Sequence, residues 1–425
     1  MLIPDLYDVY VQHPGIQTDT RKLKKGDLYF ALKGPNFNGN QFAKQALNAG
    51  AAHVILDEPG GFEDDRIIYC EDVLLTLQQL AKYHRQQFNI PFIAITGSNG
   101  KTTTKELIHE VLNSTYTTYT TKGNLNNHIG IPLTILSVRM DAEFAVIEMG
   151  ANHQKEIESY CTYTLPTHGL ITNCGKAHLE GFGGVDGVKK GKGELFDFLK
   201  ANNGSAFIFN DYDYLIEMSK GITTIKTYGT AAAEIVGKSG IKSGLLEVIM
   251  TAGTEIKSIQ TNLVGAYNLP NVLAAVAIGK YFGVPDEKIK SALENYLPDN
   301  SRSQLIEKDS NKIILDAYNA NPSSMKVAIE NMAKMEAENK VLLLGAMMEL
   351  GDESLAEHAA LIDLIKIYQW NAVVLVGGDF EKTMHPFIYF KNADEAKLWL
   401  QEQHYNNTTI LIKGSRSMQM EKVLG

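Results

Sequence analysis

Residues 96–105, TGSNGKTTTK, follow the apolar run PFIAIT and open an amphipathic stretch, and no other feature constrains the fold of this chain so tightly. A short strand that is apolar throughout, then a glycine-rich turn, then a helix, reads as one crossover of a parallel sheet covered on both faces. In that setting glycines let the backbone wrap closely, and amide hydrogens and the helix N-terminus face anionic oxygens. Gly97, Ser98, Asn99, Gly100 and Thr103 are therefore candidate phosphate contacts. Lys101 reaches the outer phosphates, and the Thr102 hydroxyl is a candidate Mg2+ ligand. The pattern GxxxxGK[ST] is not met to the letter, because Ile95 stands at its first glycine position. A plain glycine-rich turn is the bland alternative, and the placement of GKTTT at a helix start weighs against it.

The same rhythm continues along the chain. Strands are predicted at 91–96, 144–148, 169–172 and 206–209, with helices at 102–113 and 269–282. Residues 225–262 break the alternation with short Thr-, Ile- and Gly-containing pieces, which suggests a small antiparallel insertion. Before this region lie two apolar runs, 28–32 and 53–56, around a helical pattern at 42–47 that Gly50 ends. A further helix at 73–88 follows. After Leu297-Pro298-Asp299, strands at 312–316, 341–344, 373–376 and 409–413 alternate with helices at 324–337, 354–368 and 393–403, a second doubly wound pattern. The expected fold is α/β in three domains. These are a small N-terminal α/β domain (1–88), a central parallel-sheet phosphate-loop domain (89–297) and a C-terminal Rossmann-like domain (298–425). A chain of 425 residues is too long for one ordinary core, which agrees with that division.

Composition narrows the function. A net charge of −9 argues against a general nucleic-acid binder. Cys70, Cys161 and Cys174 are scattered and lack metal-ligand spacing, as for buried thiols in a reducing compartment. The N-terminus has no basic, apolar leader pattern and no apolar run approaches membrane-spanning length, so a soluble, cytoplasmic protein is expected.

Other segments gain meaning once a nucleotide is accepted. Glu148 ends the strand in VIEMG, where a carboxylate is a natural Mg2+ ligand; a surface carboxylate is the alternative. His178, in TNCGKAHLE, lies just past another strand, although a lone histidine is more often a satisfied polar residue. Lys192 reads from its surroundings as an ordinary solvated lysine. The run NLNNHIGIP at 124–132 is rich in amides suited to sugar, peptide or base recognition. A turn held by side-chain to backbone bonds explains it equally well. DAYNANP at 316–322 and KGSRS at 413–417 each follow a strand of the last domain, so two polar loops should converge at its carboxyl edge.

These segments together resemble the Mur ligase family, which builds the peptide of bacterial cell-wall precursors. TGSNGKTTTK has the family's form, missing glycine included. Glu148 matches its strand-end glutamate, His178 its TNxGxAHLE histidine, and Lys192 the lysine that the family carbamylates to bridge a second Mg2+. TDTRKLKKGDLYFALKG at 18–34, GNLNNHIGIPLT at 123–134, DAYNANPSSM at 316–325, LLGAMMELGDES and KGSRSM are most similar to the branch joining D-alanyl-D-alanine to UDP-N-acetylmuramoyl-tripeptide.

The resemblance implies ATP-dependent formation of an acyl phosphate, then attack by the amine, with Lys101, Glu148, His178 and Lys192 at the reacting centre. Thr102, Glu148, His178 and carbamylated Lys192 would hold two Mg2+ ions. Asn268, Asn271, Arg302 and Asp316 would contact ATP. Asp19, Arg21, Phe30 and Ala31 would take the uridine end, with Asn124, Asn126 and Asn127 also on the substrate side. Asn319, Asn321, Ser415 and Arg416 are candidates for the dipeptide. A monomer without nucleic-acid or membrane partners is implied. The sequence departs from the family at GAYN (265–268), where Tyr267 replaces a histidine, at Ser301, which replaces a glycine, and at Leu315, where an acidic residue is usual. Another Mur-type ligase, a folylpolyglutamate-type ligase, which lacks the first domain and YNANP, and a non-catalytic nucleotide switch are the rivals.

Overall fold

The computed structural model describes residues 2–425 except 60, 62, 243 and 300. The chain forms two compact units. The first comprises Met1–Ala94, Tyr116–Gly150 and Glu156–His168. Its N-terminal part is a parallel sheet in the order Ile16–Gln17, Leu28–Phe30, His53–Leu56, Ile67–Tyr69. The helix Ala43–Asn48 covers it through Ala43, Ala46 and Leu47, which pack on Tyr29, Val54 and Leu56. The helix Val73–Arg85 begins where the Asp72 side chain accepts from Leu75 N, satisfying an otherwise orphan first-turn amide. At its end Arg85 is buried, and its guanidinium donates to the carbonyls of Thr164, Phe88 and Leu165 while lying over the Phe92 ring. Such donors make a buried cation tolerable. The strand Phe144–Glu148, buried at every position, pairs in parallel with Thr118–Thr120.

The second unit comprises Ile95–Thr115, Ala151–Lys155 and Gly169–Gly425. Its helix Lys101–Asn113 turns Leu107, Ile108, Val111 and Leu112 inward and packs against the almost wholly buried helix Leu269–Tyr281. Ser205–Phe209 pairs in parallel with Thr224–Gly229, which pairs in parallel with the start of Ile235–Lys242. Only from there do Leu245–Ala252 and Ser258–Gln260 add antiparallel strands. The expected antiparallel pairing is present from Ile235 to Gln260, while the strand Thr224–Gly229 before it continues the parallel sheet, so the region extends that sheet and is not a separate insertion. Its alternating burial, rather than a continuous apolar run, shows one covered and one open face.

A six-stranded sheet completes this unit, in the order Gln304–Lys308, Asn311–Asp316, Thr408–Lys413, Asn339–Gly345, Ala372–Val376, Ile388–Phe390. The first pair is antiparallel and the others are parallel. The register sets Asp316 opposite Lys413, so the two polar loops do leave the sheet side by side. Among the described residues no helix is long and apolar enough to cross a membrane.

Candidate active site

The strand Phe92–Thr96 delivers the chain into the phosphate loop, and Ile95 is completely buried within it. Gly97 has φ +144, and a Cβ there would stand 2.0 Å from Thr172 Oγ1. Gly100 has φ +80 and is the N-cap of the helix Lys101–Asn113, whose N-terminus is capped by no side chain among the described residues. An uncapped helix start offers its first amides and its positive dipole end to an anion. The loop is braced from behind. Ser98 N donates to Asn173 O (2.9 Å) and Asn99 N to Asn173 Oδ1 (3.0 Å). The Asn99 carbonyl accepts from Thr172 Oγ1 (2.6 Å) and Asn173 Nδ2 (3.0 Å). Lys101 Nζ lies over the loop, donating to the carbonyls of Gly97 (2.7 Å) and Ser98 (3.3 Å). Thr102 is buried beneath it, and Thr103 is half-buried.

Asn268 and Asn271, assigned to the nucleotide from sequence, have their side chains inside the protein. Asn271 Nδ2 donates to Asn268 Oδ1, Asn268 Nδ2 to the Val264 carbonyl, and Thr104 Oγ1 to Asn271 Oδ1. They tie the helix Leu269–Tyr281 to the helix that carries the phosphate loop.

Lys192 is 1% exposed; its Nζ donates to the Ala151 carbonyl at 3.0 Å and lies 4.8 Å from the Phe182 ring centroid. The solvated lysine of the composition reading is therefore a buried cation. His178 has φ +51, and its Nδ1 lies 2.7 Å from Glu349 Oε2, close enough for an ion pair though not aligned as a hydrogen bond. The imidazole holds the Glu349 carboxyl below the usual range. Nothing local to Glu349 in the sequence signals this pairing.

Among residues assigned to the C-terminal loops, Asp316 Oδ2 accepts from Lys413 Nζ at 2.6 Å. Lys413 is 2% exposed and also donates to the Asn319 carbonyl. The Asn319 side chain accepts from Ala320 N. Arg302 stacks over the Tyr318 ring, 3.7 Å from its centroid, and its buried Nε has no hydrogen-bond partner among the described residues. Tyr267, in place of the family histidine, shares a 2.9 Å hydrogen bond with Ser303 Oγ; burial, and then Asp316, push its phenol far up. Ser415 is buried, with no hydrogen-bond partner for its hydroxyl among the described residues, and the exposed Arg416 pairs with Glu421.

The first unit holds the remaining candidates. Glu148 is 1% exposed; Oε1 accepts from Asn126 Nδ2 at 2.7 Å, its backbone N donates to Thr121 Oγ1, and Oε2 has no hydrogen-bond donor among the described residues. Asn127 Oδ1 accepts from the amides of Ile129 and Gly130, whereas Asn124 is exposed. The amide-rich run is thus partly a turn and partly a support for Glu148. Asp19 accepts from Arg21 N and holds its guanidinium at 2.8–2.9 Å, and that pairing lowers the Asp19 carboxyl to about 2. Phe30 and Ala31 are wholly buried side chains.

No group of three or more His, Cys, Asp or Glu side chains gathers as a metal site among the described residues. A buried carboxylate oxygen without a donor is costly, and a cation beside it is one arrangement that removes the cost. Glu148 fits Mg2+ on that ground, as a hard oxygen ligand.

Three family models match the chain: Mur ligase family, catalytic domain, at residues 13–85; Mur ligase middle domain, at 95–279; and Mur ligase, glutamate ligase domain, at 301–416. The UDP-N-acetylmuramoyl-tripeptide–D-alanyl-D-alanine ligase of Bacillus subtilis (strain 168) is 35% identical over 98% of this chain and 93% of its own length. The crystal structure of MurF from Acinetobacter baumannii superposes with a TM-score of 0.87 at 30% identity, covering 98% of this chain and 96% of that one. The MurF ligase of Thermotoga maritima in complex with ADP gives a TM-score of 0.88 at 26% identity, covering 97% of each chain.

Proposed function

The chain belongs to the Mur ligase family, and from that membership and its phosphate loop we infer an ATP-dependent ligase that adds D-alanyl-D-alanine to UDP-N-acetylmuramoyl-tripeptide in peptidoglycan precursor synthesis. The observation that carries this reading is one pairing: an uncapped, Gly100-started helix carrying Lys101 occurs in the same chain as DAYNANP and KGSRS, which the register sets side by side. A folylpolyglutamate-type ligase accounts for the loop and not for those segments.

In the proposed reaction an oxygen of the tripeptide's terminal carboxylate attacks the γ-phosphorus of ATP, and the bond to the bridging oxygen breaks to release ADP. The dipeptide amine then attacks the acyl carbon of the acyl phosphate. A tetrahedral intermediate collapses, phosphate leaves with the original carboxylate oxygen, and the amine loses its proton. Such chemistry depends on positioning and on offsetting charge between anions. The phosphate-loop amides and Lys101 hold the outer phosphates, and Arg302 and Asp316 take other parts of ATP. Thr102, Glu148, His178 and a carbamylated Lys192 would hold two Mg2+ ions, which would offset the charge of the reacting oxygens. Carbamylation replaces a cation by an anionic oxygen ligand.

Residues 1–88 are assigned to the uridine end, with Asp19 and Arg21 as their polar candidates, and residues 298–425 to the dipeptide side. The protein is proposed to act in the cytoplasm as a monomer. With 18O in the terminal carboxylate of the tripeptide, turnover should place one labelled oxygen in the released phosphate. Unlabelled phosphate would exclude the acyl phosphate.

A further inference from the structure

The helix Pro322–Lys334 starts with Asn321 as its N-cap: Asn321 Oδ1 accepts from Ser324 N at 2.9 Å. Its other end is also engaged, because Asn321 Nδ2 donates to Asn99 Oδ1 of the phosphate loop at 2.8 Å. Asn321 is 8% exposed, so both ends of its amide are engaged inside the protein and little of it faces a free dipeptide. Next to it, Ser323 Oγ accepts from Lys176 N at 2.9 Å, in the loop that braces the phosphate loop from behind. That loop also presents Gly175, where a Cβ would meet Ser323 Oγ at 2.9 Å and Asn99 Nδ2 at 3.4 Å. Ser98 Oγ in turn donates to the Gly175 carbonyl and accepts from its N. Lys176 Nζ pairs with Glu357, and His178 meets Glu349, so further C-terminal groups seat on the same short loop.

We infer that Asn321 and Ser323 are positioning residues for ATP. They hold Asn99 and the 173–176 loop in place, so the seating of the helix Pro322–Lys334 sets the shape of the phosphate cradle. The inference rests on the ATP-ligase reading above, and it moves Asn321 from the dipeptide to the nucleotide. A nucleotide cradle made of backbone amides is sensitive to small displacements, which is why a bond to a loop side chain matters here.

Two substitutions test it in the full-length protein. Asn321→Ser keeps a good N-cap and is too short to reach Asn99. Ser323→Ala removes only the acceptor for Lys176 N. A lost hydrogen bond to a polar partner corresponds to about fivefold to tenfold in an equilibrium constant. Asn321→Ser should therefore raise the KM for ATP about tenfold, and Ser323→Ala by a few fold, with the KM for D-alanyl-D-alanine and the melting temperature unchanged. An unchanged KM for ATP in both variants overturns the inference. So does a rise confined to the dipeptide KM, which would return Asn321 to the dipeptide side. A lower melting temperature with all kinetic constants falling together would reduce both residues to structural roles and equally overturn it. If the wild-type protein itself shows no substrate-dependent ATP turnover, the ligase reading fails instead.

Discussion

One Glu148 carboxylate oxygen is held by Asn126, and the other is buried without a hydrogen-bond donor among the described residues. Removing the charge while keeping the shape should relieve that cost, so Glu148→Gln is expected to leave the melting temperature unchanged or raised. The same change should lower kcat by roughly 10²-fold or more, because charge compensation at the reacting oxygens is lost. Calorimetry and steady-state kinetics on one sample separate the two effects; a variant that loses stability and keeps its rate would contradict the proposed role. Asn126 acts one step further out. Asn126→Ala should raise the Mg2+ concentration needed for half-maximal activity by about 10- to 100-fold. Lys192→Ala should cripple ligation, with partial recovery in added short-chain carboxylate; full activity without rescue would refute the carbamate.

At the scale of elements, the phosphate loop was legible because strand, turn and helix are adjacent in sequence. Its support was not. Asn99 meets Asn321 from 222 residues away along the chain, and Lys413 is buried against Asp316. Local periodicity carries no information about such distant partners. The helix Ile3–Gln12 was missed although Leu6 and Tyr10 form its buried stripe, and the edge strands Gln304–Lys308 and Ile388–Phe390 are too exposed to show an apolar run. Family resemblance, not pattern, suggested the roles proposed for Lys192 and His178. The tight passage at Gly97 makes one element-level prediction. Gly97→Ala would force a Cβ against Thr172 Oγ1 at a φ that L residues rarely adopt, costing about 1–3 kcal/mol of stability. The variant should also bind ATP at least tenfold more weakly by titration calorimetry, since the loop must shift to admit the methyl; wild-type affinity would show that the loop tolerates the shift.

For the whole molecule, stability should fall on the acid side. Burial pushes His168 down from its ordinary value to about 4, so the fold favours the neutral imidazole. A histidine with a depressed folded-state value contributes stability that is complete above its unfolded value near 6.5. That contribution is lost as pH falls from there towards 4. The expected loss is about 3 kcal/mol, and His168→Gln should flatten the pH dependence of the melting temperature across that window. An unaltered slope in the variant would place the acid sensitivity elsewhere. The alternation of strands and helices that implied an α/β chain needed only the sequence, whereas the merging of residues 224–260 into the parallel sheet needed the pairing itself.

The protein should spend ATP only to join these two substrates. ADP release should be measured with UDP-N-acetylmuramoyl-tripeptide present, with and without D-alanyl-D-alanine. Release should be negligible with neither substrate and sustained only with both. Release that ignores both substrates would contradict the ligase account and leave a nucleotide-hydrolysing switch in its place.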